Sequence, residues 1–159
     1  GRKDWISSGK VFETKPGEAL FIRKGVYTTR QYFDVDHCLL TFFISDDFIR
    51  NFIRENNSLS NLGNRETVSD QIFVLDVNDS LKALFHSIFN YLNMGTGIPR
   101  SLGELKFNEL LFNIVLDPKN RKLAQFFTSL NQANKLNFDQ VMMKNFQFDL
   151  ELEEFARLC

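Results

Sequence analysis

The sequence predicts an α+β protein in which the strands come first and the helices follow. Short apolar runs broken by sharp turns fill the first 44 residues, and the apolar period then changes from two to about 3.6. After one further strand the chain stays helical, so the elements are segregated rather than alternating as in a nucleotide-binding sheet.

In chain order, Lys10 to Thr14, Ala19 to Arg23, Val26 to Phe33 and Cys38 to Ile44 read as strands. Lys15-Pro16-Gly17-Glu18 suits a type II turn, because proline fixes φ and glycine accepts the positive φ that follows. Asp46 or Asp47 is expected to cap a helix with Phe48, Ile49, Phe52 and Ile53 on one side. Ser58 to Gln71 is polar and rich in Asn and Ser, and is expected to be a mobile surface loop. Ile72 to Val77 reads as a buried strand. A helix follows an Asp79/Ser80 cap, with Leu81, Leu84, Phe85, Ile88 and Leu92 on one face, until Gly95, Gly97 and Pro99 break it.

The strongest helical pattern is Phe107, Leu110, Leu111, Ile114 and Val115, which Asp117-Pro118 ends because proline restricts its predecessor. Leu123, Phe126, Phe127 and Leu130 mark a third helix of this run. Asp139 to Asn145 marks a short fourth, leading into a terminal helix from Glu151.

The 159 residues are 43% hydrophobic, enough for one well-buried core, and 19 Lys+Arg against 20 Asp+Glu give a net charge of -1. That balance argues against a large nucleic-acid footprint in these residues. Cys38 and Cys159 offer neither a CxxC pair nor a disulfide framework, so reduced thiols and a cytoplasmic location are expected. No signal peptide or membrane span is visible. Nucleophile elbows, phosphate loops and HExxH are missing from the sequence, and His37 and His86 lack the further ligands a metal would need. No catalytic residue, metal or other cofactor is expected, and the reading is of a non-enzyme.

Three passages carry a resemblance. Ser8-Gly9-Lys10 with Pro16-Gly17-Glu18-Ala19-Leu20-Phe21-Ile22-Arg23-Lys24-Gly25 resembles the strand, proline-glycine turn, strand and glycine of the regulatory barrel in AraC-type bacterial transcription regulators. Leu105-Lys106-Phe107-Asn108-Glu109-Leu110-Leu111 resembles the central helix of their dimerisation segment. Leu152-Glu153-Glu154-Phe155-Ala156 resembles the first helix of their first DNA-binding unit.

The resemblance implies a cupin-like antiparallel β-barrel over 1–78 with one helix, lacking its first strands. It implies a helical dimerisation segment over 79–136 and, over 137–159, the start of a truncated helix-turn-helix carrying Leu152, Phe155 and Ala156. It also implies a homodimer that reaches promoter DNA only through a domain beyond Cys159, with a small-molecule effector or a protein partner as the controlling input. The competing reading is a cupin enzyme, metal-dependent or metal-independent, or a sugar-binding protein.

If the barrel takes an effector, Trp5, Phe21, Arg23, Tyr27, Arg30 and Tyr32 would form a wall of rings and polar anchors; otherwise the rings fill the core and the arginines face water. On the helices, Leu84, Ile88, Phe89, Leu92, Phe112 and Leu116 give more apolar positions than one face requires. Either neighbouring elements cover both sides or a second subunit covers one.

Overall fold

Turn chemistry and apolar periodicity build two units in the computed structural model, which describes residues 2–7, 9–25, 27–32, 39–56, 58–59, 68–95, 97–130, 143, 145–146, 148, 151, 153–154 and 157. One unit comprises Gly1–Leu40, Ser69–Val74 and Gln132–Cys159, and the other Thr41–Val68 and Leu75–Asn131. The α+β class stands: five strands and four α-helices form among the described residues.

In the first unit, β1 (Lys3–Ser7) lies between β2 (Lys10–Thr14) and β4 (Thr28–Gln31) in a three-stranded antiparallel sheet. The register sets Asp4 opposite Glu13 on one side and Arg30 on the other. Glu18 N donates to Lys15 O at 3.1 Å and Gly17 has φ of +86°, the expected type II turn. A second sheet pairs β3 (Ala19–Ile22) with β5 (Ile72–Leu75). Arg23 N donates to Gln71 O at 3.0 Å, which puts the end of β3 beside the start of β5, and Phe21 meets Phe73 edge-on across the pair at 6.2 Å.

Three strand expectations are corrected. The central strand is β1, which sequence patterning does not single out because only Trp5 and Ile6 of its five residues are apolar. The Val26 to Phe33 run contracts to Thr28–Gln31 among the described residues. Leu39 to Ile44, the described part of the Cys38 to Ile44 run, forms no strand despite its β-forming residues, because β propensity becomes a strand only through a pairing neighbour. The described strands form these two separate sheets, without closing into a barrel.

In the second unit, α1 (Asp46–Glu55) is capped not by Asp46 or Asp47 but by Ser45, whose Oγ accepts from Phe48 N at 3.2 Å. The two aspartates occupy the first turn, where the positive end of the helix favours them. Likewise Asn78 rather than Asp79 or Ser80 caps α2 (Asp79–Asn93), its Oδ1 accepting from Leu81 N at 3.0 Å. α3 (Arg100–Leu116) stops at Asp117 as expected, a 3-10 turn covers Pro118–Asn120, and α4 (Arg121–Leu130) follows. Asn78 Nδ2 donates to Asp117 Oδ2 at 2.8 Å, bringing the start of α2 to the end of α3, so the two helices run antiparallel.

Ile49, Phe52, Leu81, Leu84, Leu111, Ile114, Leu123 and Phe127 are among the core residues, with Phe52 and Phe112 edge-to-face at 4.7 Å. α1, which the sequence division groups with the strands, packs against α4 and α3. Leu59, in the run read as a surface loop, is buried. The expected helix over 139–145 and the terminal helix lie largely outside the described residues, as do residues 60–67 of that loop. No described helix is long and apolar enough to cross a membrane.

Leu111 is fully buried and Leu105, on the same helix, is 65% exposed. Leu111→Ala is expected to lower unfolding free energy by about 3 kcal/mol. Leu105→Ala should stay within about 0.5 kcal/mol of the parent. Chemical denaturation followed by circular dichroism measures both, and equal losses would contradict this core.

Candidate functional site

Among the described residues of the first unit Asp4 is tightly constrained, its side chain 1% exposed near the start of the central strand. A carboxylate so placed needs partners to offset its lost hydration. Arg2, two residues earlier on the same face, supplies Nε at 3.0 Å to Oδ1 and Nη2 at 3.2 Å to Oδ2. Tyr32 donates its hydroxyl to Oδ2 at 2.9 Å, and Arg30 stands 4.0 Å away with its side chain 61% exposed.

The arrangement extends outward. Arg2 also reaches Glu13 at 2.8 Å, and its guanidinium lies 4.6 Å over the Tyr32 ring. Tyr32 N donates to Arg2 O at 3.3 Å, which prolongs the β1–β4 ladder by a rung. The Arg2 hydrogen bonds, reinforced by Tyr32 and the nearby Arg30 charge, hold the Asp4 carboxyl below the usual range, against a desolvation effect that alone would raise it.

The six residues expected to form an effector wall fall into four places. Arg30 and Tyr32 surround Asp4. Strand alternation puts Trp5 on the opposite face, where Lys3 Nζ sits 4.6 Å over its ring. Phe21 packs on Phe73, while Arg23 and Tyr27 meet in the β3–β4 connection. There Tyr27 donates its hydroxyl to Arg23 O, and Arg23 Nη1 donates to Asp70 O at 3.2 Å. Burial pushes the Tyr27 phenol up to about 12, with the Arg23 charge opposing. A Cβ at position 25 would lie 3.0 Å from the Tyr27 hydroxyl, so Gly25 leaves room for that ring.

Arg2, Asp4 and Glu13 are the members that sequence reasoning misses. Their available signal is the Arg2-x-Asp4 spacing, which places opposite charges on one strand face.

On the helices, Leu84 and Ile88 are buried in their own unit, whereas Phe89, Leu92, Phe112 and Leu116 are exposed. Leu105 joins them, and Leu105, Phe112 and Leu116 fall at i, i+7 and i+11, one stripe along α3. Leu110, Leu111, Ile114 and Val115 occupy the other side and are buried, so α3 is apolar both inward and outward. His86 lies exposed on α2; His37, Leu152, Phe155 and Ala156 fall outside the described residues. Among the described residues no three His, Cys, Asp or Glu side chains converge as a metal site.

The family model of the ExsA N-terminal regulatory domain matches residues 1–126, from before β1 into α4. The chain belongs to this family. It is also 22% identical over 158 residues to the thermoregulatory protein LcrF of Yersinia pestis, a match covering 99% of this chain and 58% of that protein. The chain therefore spans a little over half the length of this relative. The AraC-type resemblance is upheld: this is the regulatory domain of an AraC-type transcription regulator.

In this regulatory domain the Asp4 cluster has a definite pH signature. A carboxyl with a depressed folded-state pKa releases its proton more readily when folded. Its contribution is thus present above the ordinary aspartate value of 3.8 and fades as pH falls through the folded value. Asp4→Asn should melt at lower temperature than the parent at pH 7, and the gap should narrow towards pH 3. A gap that is constant from pH 7 to pH 3 in thermal melts would show that the carboxylate charge is irrelevant.

Proposed function

We propose that this chain senses a controlling input and pairs two copies of its regulator, without catalytic activity of its own, in the cytoplasm. In this reading residues 1–78 form the effector-facing unit, cupin-like in descent, residues 79–136 form the dimerisation segment, and residues 137–159 begin the DNA-binding part. The input, a small molecule or a protein partner, acts by binding one arrangement of the paired copies more tightly than another. Promoter DNA is contacted through the remainder of the regulator.

The observation that carries the pairing is the outward stripe of α3. Leu105 and Leu116 stand exposed away from the buried row, Phe112 beside them is only partly exposed with its ring against Phe52, and Phe89 and Leu92 are exposed on the antiparallel neighbour. Apolar side chains of this size, repeated on one helix side, are what a two-fold interface buries. Trp5, Phe21, Arg23, Tyr27, Arg30 and Tyr32 form no single wall, so within this reading an effector would meet only part of the set, with Arg30 and Tyr32 held together around Asp4.

Sedimentation equilibrium tests the pairing. The parent chain is expected to populate a concentration-dependent dimer, and Phe89→Glu with Leu116→Glu to be monomeric with the parent's helical circular dichroism. A parent chain that stays monomeric at every concentration, or a variant that dimerises as well as the parent, overturns this assignment of the interface.

A further inference from the structure

The junction between β5 and α2 is only three residues long, Asp76-Val77-Asn78, and it is zipped side by side to the junction between α3 and α4. The centre of the zipper is Asn120, a polar residue only 3% exposed. Asp76 N donates to its Oδ1 at 2.8 Å, and its Nδ2 donates back to Asp76 O at 3.2 Å. One side-chain amide thus satisfies both peptide groups of the residue that follows β5, as a neighbouring strand would.

Flanking contacts repeat the alignment. Lys119 Nζ lies 3.3 Å from both carboxylate oxygens of Asp76. Two residues on, Asn78 holds Leu81 N with Oδ1 at 3.0 Å and Asp117 with Nδ2 at 2.8 Å, so the cap of α2 is tied to the end of α3. Asp117 in turn accepts from Lys119 N at 2.9 Å, which shapes the turn that presents Asn120.

We propose that Asn120 is a positioning residue that clasps these two junctions into one rigid body, so that the start of α2, the end of α3 and the start of α4 move together. A filler side chain would do nothing of the kind. Leucine has similar bulk but cannot bond to the Asp76 peptide groups, and aspartate keeps an acceptor while losing the donor and adding a charge beside Asp76 and Asp117. Transmission to the paired state rests on the proposed self-association; the clasp itself does not.

Hydrogen exchange on the full chain, as parent, Asn120→Leu and Asn120→Asp, separates the two. Amides of Asp76 to Leu81 are expected to exchange about tenfold faster or more in both variants, while amides of Leu84 to Ile88 and of Leu123 to Phe127 keep the parent's protection. Unchanged exchange over 76–81, or an equal loss across every helix, overturns the clasp. Sedimentation of the same proteins reads the transmission: both variants should dimerise several-fold more weakly than the parent, and parent-like dimerisation of loosened variants overturns delivery to the paired state. A monomeric parent would count against the self-association reading, while the exchange data would still decide the clasp.

Discussion

The second unit is organised around α3, because this one helix packs against α1, α2 and α4. Its inner residues Leu110, Leu111, Ile114 and Val115 are all buried. At about 2 kcal/mol for each buried aliphatic side chain, this row outweighs the surface ion pairs of the same helices, each worth well under about 1 kcal/mol. Arg100–Glu104 and Lys106–Glu109 decorate α3 without deciding its place. What distinguishes it is that burial of one face leaves a second apolar face outside. A helix of this kind contributes to the core while leaving Leu105 and Leu116 at the surface.

The first unit follows a different rule. Its sheet is centred on a strand with few strong apolar residues, and the buried Asp4 takes the place a core side chain would fill. Breaking such a site from one side leaves a charge without its partner, so the cluster acts as a specificity device for register as much as a source of stability. Asp4 meets Arg2, Arg30 and Tyr32 together in the observed β1–β4 register, and Arg2 carries the cluster on to Glu13 of β2. A one-residue slip would turn its side chain to the other face.

Much of the helical unit was legible in the sequence. The 3.6 period located α1 to α4, and Pro118 and Gly95 marked their stops. The caps were misplaced by a residue because Ser45, Asp46 and Asp47, or Asn78, Asp79 and Ser80, all have suitable side chains, and only backbone geometry selects among them. Among the strands, Pro16-Gly17 announced its turn, but the Leu39 to Ile44 run misled because pairing is not a local property. The site was the least legible part. Arg30 and Tyr32 are expected from the sequence as parts of an effector wall, and nothing local shows that they converge on Asp4, or that Asn120 reaches back 44 residues to a peptide group.

The sequence by itself determined the segregation of strands from helices, the turn at Pro16-Gly17, the apolar stripes and the regulator family, since each depends on neighbours within a few residues or on a motif read in order. Tertiary structure alone decided that β1 is central, that Asp4 is enclosed by Arg2 just before β1 and by Arg30 and Tyr32 at the β4 end, and that one side of α3 is left outside. Burial and pairing are set by which distant segments meet. A residue's own chemistry states only what it would require there.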